Sequence, residues 1–213
     1  MLALLASPAC AAPPAGDLFN GHDLAGWEFV TVPATAINAV CRILPDGVIA
    51  MAGTPVGFIA TLASYENYRL HAEWRWPALS RVDGSGPPGN SGVLVHISSG
   101  PKDRAWPLSL QIQTKHGAAG DLLPMAGASF VEPLTSAPGA ATAIKAHTAP
   151  DSEKPVGEWN TCDVTCRDDT IEVTINGVLQ NKVTRTTPRA GRIGFQFEGA
   201  PFELRHVSLV RLD

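Results

Sequence analysis

Positive charge is scarce in this chain: 16 Lys and Arg stand against 20 Asp and Glu, for a net charge of -4. No basic stripe exists to neutralise phosphates, which excludes a nucleic-acid or anionic-membrane binder. A long hydrophobic run is also missing. The apolar stretch at residues 2–6 falls far short of the roughly 20 residues that span a bilayer. No convincing amphipathic helix is present, and no repeat at solenoid or propeller spacing. Cys and His spacings of a structural zinc site are absent, as is an Asp-rich calcium loop. Cysteine itself is sparse. Cys162 and Cys166 are four apart on an expected strand, which separates their Cα atoms by about 13 Å at a rise of ~3.3 Å. A disulfide needs less than about 7 Å, so the pair reads as small buried hydrophobes on the side of Val164.

What is present describes an all-β protein. Hydrophobic residues make 45% and charged residues 17%, an ordinary globular balance for a sizeable core. The 20 Gly and 18 Pro fit short strands joined by turns. Residues 1–14 read as an export leader, with Ala9-Cys10-Ala11 as a cleavage-like signal, and residues 15–213 as one domain. The expected location is periplasmic or extracellular.

Strand signals run along the chain. In residues 68–76, Leu70, Ala72, Trp74 and Trp76 alternate with His71, Glu73 and Arg75. Residues 90–97 form an apolar strand covered on both faces. Leu110, Ile112 and Thr114 share one face of the next strand, and Gln111 and Gln113 the other. Residues 124–157, rich in small residues and Pro, are expected to form loops with a short strand pair; so long a segment is often functional. Asp168-Asp169 and Asn176-Gly177 mark two hairpin turns, the second of type I′. Ile193, Phe195 and Phe197 face inward, with Gln196 and Glu198 opposite. A slip of the apolar period at His206-Val207 predicts a bulge. The product is a two-sheet antiparallel sandwich.

Seven ordered segments carry a resemblance: residues 17–27, 68–75, 90–96, 106–121, 153–160, 176–178 and 194–207. Together they resemble the 3-keto-disaccharide hydrolase family. The resemblance implies a concanavalin A-like jelly roll that acts on glycosides carrying a ketone at C3, with the sugar on the concave sheet. Where the family carries Glu-x-Gln, this chain has Gln111-Ile112-Gln113.

A 3-keto group makes the C2 hydrogen acidic, so a base can form an enolate and the aglycone at C1 leaves by elimination. Water then adds back. Such a site needs one base, one donor or cation for the enolate oxygen and one acid for the leaving group. The candidate catalytic residues are His96, His116, Asp121 and Glu73, with Asp121 orienting His116 or serving as the acid. Candidate sugar ligands are Arg75, Gln111, Gln113, Trp106 and Glu198. By family position Glu73 and Arg75 lie on the concave sheet, and Arg205 is a candidate partner for Glu198. His96, His116, Asp121 and Glu73 also offer oxygen and nitrogen ligands for a divalent metal ion. The partner is a small carbohydrate. The alternatives are a noncatalytic carbohydrate-binding module, a conventional glycosidase and a cell-envelope interaction protein.

Overall fold

A computed structural model describes residues 16–77, 89–98 and 105–213. Two antiparallel sheets account for the strands. The first takes the order β12(Val178–Val183), β11(Thr170–Ile175), β10(Asn160–Arg167), β6(Tyr68–Arg75), β14(Phe202–Arg211), β4(Ile49–Met51), β3(Cys41–Ile43), with β1(Gly16–Asp17) paired to β14. The second takes the order β2(Trp27–Val32), β5(Val56–Tyr65), β13(Gly191–Glu198), β7(Asn90–Ile97), β8(Ser109–Gln113), β9(Leu122–Met125). Among the described residues the helical structure is a 3-10 turn at Ile37–Ala39, and no helix is long and apolar enough to cross a membrane.

Side-chain alternation explains the layering. Tyr68, Leu70, Ala72 and Trp74 from β6 meet Val93, Val95, Leu110, Ile112, Ile193, Phe195 and Phe197 from the second sheet in one core. Cys41, Cys162 and Cys166 lie in this core as free thiols. Burial pushes the Cys41 thiol up to about 11 and the Cys166 thiol up to about 12, so neither is a nucleophile near neutrality. Trp27 and Phe19 anchor the N-terminal segment there, and the Trp27 indole donates to the Leu18 carbonyl at 3.0 Å.

Both turn readings and the bulge hold. Asn176 and Gly177 take φ of 49° and 80°, as a type I′ turn requires. His206 takes φ of 48° where the β14–β6 register slips. The expected strand pair within residues 124–157 does not form. Past β9 that stretch runs through turns and bends, tied to the sandwich by single bridges such as Leu122↔Lys145 and by side-chain bonds. Its Ala-, Pro- and Gly-rich composition supplies too few β-formers to sustain a ladder.

Gly53 closes the sandwich end, with φ +80° and the place of a Cβ only 2.2 Å from the Ala200 carbonyl oxygen. A side chain there must displace backbone. Gly53→Ala is expected to destabilise by about 2 kcal/mol, measurable as a lower urea midpoint with an unchanged slope.

Candidate functional site

The outer face of the six-stranded sheet carries a polar strip. Strand register places Gln196 beside Gly92 and Gly92 beside Gln113, with Gln111 facing Leu94 and Leu123. Gly120 and Asp121 both oppose Gln113: the Gln113 N–H donates to the Asp121 carbonyl and the Gly120 N–H to the Gln113 carbonyl, each at 2.8 Å. This one-residue bulge keeps Asp121 on the face of Gln113 at the sheet edge.

Hydrogen bonds link the strip. Gln111 Nε2 donates to Gln113 Oε1 at 2.7 Å and reaches Gln196 Oε1 at 3.5 Å. Gln196 Nε2 and Asn90 Nδ2 donate to Glu198 Oε2 at 2.9 and 2.7 Å. Although they point away from the intersheet core, Gln111, Gln113 and Gln196 are only 3%, 8% and 0% exposed, so the face is recessed. The buried carbonyl oxygens of Gln111 and Asn90 have no hydrogen-bond partner. Unpaired acceptors are costly in a recess and suit hydroxyl donors of a neutral ligand.

A histidine joins Asp121. His147 Nδ1 lies 2.6 Å from Asp121 Oδ1, and the His147 backbone N–H donates to the same oxygen at 2.8 Å. Nδ1 therefore carries the proton, the ring is held by two bonds, and Nε2 presents a lone pair. His147 sits in the strandless stretch, where no periodic signal marks it. Asn90 and Gln196 also escaped selection; the alternation that placed Gln196 with Glu198 was the available signal.

Glu73 and Arg75 do not reach this strip, contrary to the expected shared face. β6 belongs to the eight-stranded sheet, so both project from the opposite side of the sandwich. There Arg205 Nε donates to Glu73 Oε2 at 2.7 Å and Arg75 Nε to Glu203 Oε2 at 2.5 Å. Burial would raise the Glu73 carboxyl, but hydrogen bonds from His206 and Arg205 outweigh it and hold it below its usual value. The expected Arg205–Glu198 pair is thereby corrected as well. The Arg75 and Arg205 guanidinium groups lie over the Trp159 ring, at 4.5 and 4.0 Å from its centroid respectively.

His96 is corrected more sharply. It takes φ of 56° at a register slip against β13, which turns its ring inward. The ring meets Tyr68 edge-on at 5.8 Å, and Nδ1 donates to the Pro188 carbonyl at 3.0 Å. Burial pushes the imidazole down to about 4. His96 is a core residue, not a base for a ligand in the recess.

His116 pairs with Glu153 instead of Asp121: Nδ1 lies 3.0 Å from Glu153 Oε2, with the ring turned off the line of a hydrogen bond. The Glu153 carboxylate accepts from the Trp76 indole and the Gly117 N–H at 2.9 and 2.8 Å. The His116 N–H bonds the Gly89 carbonyl, whereas His96 lies near the far end of β7. Seven residues of strand, about 23 Å, therefore separate the two histidines, too far to serve one sugar. The four candidate metal ligands do not converge, and among the described residues no group of three or more His, Cys, Asp or Glu has an arrangement that could hold a metal ion. Trp106 is 40% exposed before β8, and Lys145 is buried with its ammonium on Asn181 Oδ1 at 2.7 Å.

Gly92 makes room for the strip: a Cβ there would lie 2.5 Å from Gln111 Nε2. Gly92→Ala is expected to swing Gln111 aside and weaken binding of a hydroxyl-bearing ligand in the recess about tenfold, the worth of one lost hydrogen bond. Calorimetric titration checks this.

Two antiparallel sheets with a recessed amide-rich outer face define a β-sandwich of the jelly-roll class. The chain belongs to the 3-keto-alpha-glucoside-1,2-lyase-like domain family, which matches residues 14–210. Comparison with curated proteins gives no match. Solved structures share the fold. A protein from Parabacteroides distasonis assigned as a glycosyl hydrolase is 20% identical, with 92% of this chain and 93% of that one covered at a TM-score of 0.63. The carbohydrate-binding module CBM66 from Bacillus subtilis is 10% identical, with coverages of 86% and 94% and a TM-score of 0.58. The Bacillus licheniformis beta-glucanase is 10% identical, with coverages of 91% and 94% and a TM-score of 0.56.

Proposed function

We propose that the recess binds a glycoside carrying a ketone at C3 and that the Asp121–His147 pair starts its cleavage. The observation that carries this reading is a histidine fixed by a carboxylate at the edge of a buried amide strip. His147 Nε2 takes the C2 proton, and the C2–H electrons form the C2–C3 enolate. The amide N–H groups of the strip steady the ketone oxygen as charge develops. As the enolate collapses, the C1–O bond breaks, a C1–C2 double bond forms, and the His147 imidazolium returns its proton to the leaving aglycone oxygen. Water then adds across that bond.

Glu198 and Asp121 favour this route over conventional glycoside hydrolysis. They are three strand spacings apart, about 14 Å, beyond the roughly 5–9.5 Å of a carboxylate pair that flanks one glycosidic bond. Gln111 and Gln113, being amides, hold sugar hydroxyls and transfer no protons. On this reading the leader-like residues 1–14 place the reaction in the periplasm or outside the cell.

Incubation with an aryl 3-keto-glucoside is expected to release the aglycone, to leave the unoxidised glucoside intact and, in deuterium oxide, to label C2. Absence of both release and exchange would sink the catalytic assignment. A second reading, a noncatalytic binding module, is favoured by the amide character of Gln111 and Gln113 and by the fold shared with CBM66. It predicts affinity for the ligand without turnover.

A further inference from the structure

β9 ends one sheet and β12 the other, and residues 145–148 run between these two edges. Leu122 and Lys145 exchange backbone hydrogen bonds, each at 2.9 Å, and the Thr148 N–H donates to the Gln180 carbonyl at 2.8 Å. His147 therefore sits on a segment that joins the sheets. Beside that segment lies a buried amide from the far sheet. Asn181 pairs with Val173, and Val173 and Val183 are core residues, so Asn181 faces the space between the sheets, where it is 1% exposed. Its Nδ2 donates to the Gly120 carbonyl at 2.9 Å and reaches the Lys145 and Ala146 carbonyls at 3.3 Å each. Its Oδ1 accepts from the buried Lys145 ammonium at 2.7 Å. An ammonium only donates and a carbonyl only accepts, so this environment asks for a carboxamide in one orientation.

Two of these carbonyls belong to peptide units that carry the Asp121–His147 pair. The Gly120 carbonyl shares its plane with the Asp121 N–H. The Ala146 carbonyl shares its plane with the His147 N–H, which donates to Asp121 Oδ1 at 2.8 Å. A planar peptide held at its oxygen is held at its N–H as well. The same carboxylate oxygen takes the ring Nδ1 at 2.6 Å, so the direction of the ring depends on both planes. We infer that Asn181 is a positioning residue for the Asp121–His147 pair, acting from the opposite sheet without reaching the recess. Its effect on turnover rests on the reading of His147 as the base; its hold on the ring does not.

Histidine resonances test this without substrate. In protein labelled with nitrogen-15 in histidine, the native His147 ring is expected to show a single tautomer, protonated at Nδ1, with a far-downfield proton on the short bond to Asp121. Asn181→Asp keeps an acceptor for Lys145 and loses the donor to the three carbonyls. The double variant Asn181→Leu/Lys145→Met removes both buried polar groups together, so no ammonium is stranded if the first variant fails to fold. In a folded variant the ring is expected to populate both tautomers and lose the downfield proton. On an aryl 3-keto-glucoside, kcat should fall roughly ten- to a hundredfold with KM within about twofold. A merely structural role would lower the urea midpoint and leave the tautomer and kcat native. Either folded variant behaving that way overturns the assignment. Should native protein release no aglycone, the reading of His147 as base fails by itself, and the tautomer still decides whether Asn181 sets the ring.

Discussion

Lowering the pH from 7 to 4 is expected to cost the fold about 3 kcal/mol through His96 alone. The imidazole is buried against Tyr68, and Nδ1 is committed to the Pro188 carbonyl. Nε2 is buried with no hydrogen-bond partner. Desolvation pushes the folded-state pKa down from 6.5 to about 4. The sign follows from proton counting. Between pH 6.5 and 4 the unfolded chain takes up a proton that the native ring refuses, so stability falls as pH falls. A gap of about 2.5 pH units, at 1.36 kcal/mol per unit, sets the size. Below that window Glu73 and Glu132, whose carboxyls are held under their usual values, push the same way. His96→Asn isolates the histidine effect, because Asn tolerates a φ of 56° and its amide can donate to the Pro188 carbonyl. Urea unfolding between pH 7 and 4 should show a flattened pH slope in the variant. An unchanged slope would refute the assignment of acid sensitivity to this ring.

On the proposed reaction, replacing His147 by Asn is expected to lower kcat on a 3-keto-glucoside by 10²–10⁴, the usual worth of a positioned general base. Substrate affinity should change little, since the amide strip still holds the sugar. Deuterium exchange at C2 should fall in step with release. Asp121→Asn should cost less than the full factor, because it disturbs the ring's tautomer and orientation without removing the base. Gln113→Ala gives the opposite signature: a higher KM with kcat largely kept. If His147→Asn turned over at the native rate, the base would have to be another group on that face, Glu198 first.

These tests bear on different layers of what the chain encodes. Local alternation was enough to assign an inside and an outside to several strands: Leu70, Ala72 and Trp74 inward, Gln111 and Gln113 away from the core. Asn176-Gly177 was enough for a tight hairpin, and the phase slip at His206 for a bulge. Each of these is read within a few residues, where backbone geometry and apolar period are the whole problem. The family segments, in order, were enough to place the chain among its relatives.

Partnership between distant strands was the harder matter. Glu73 and Gln113 both lie on faces turned from the core, and nothing in either segment tells which sheet it joins. The β6–β10 and β6–β14 ladders sent Glu73 to one side of the sandwich, and the β7–β8 ladder sent Gln113 to the other. His96 ended a strand covered on both faces, whose residues give no facing, and a slip against β13 turned its ring inward. His147 had no periodic context, and the Leu122↔Lys145 bridge carried it to Asp121.

By itself the sequence determined an all-β chain, the facing of its clearly alternating strands, two hairpin turns and its family, because those follow from neighbours within a turn or a strand. Only the tertiary structure decided which polar groups share a face, which histidine is buried and which meets a carboxylate. Those outcomes depend on hydrogen-bond register between strands far apart in the chain, such as β6 and β14, about 130–140 residues apart, and on close packing that no local pattern encodes.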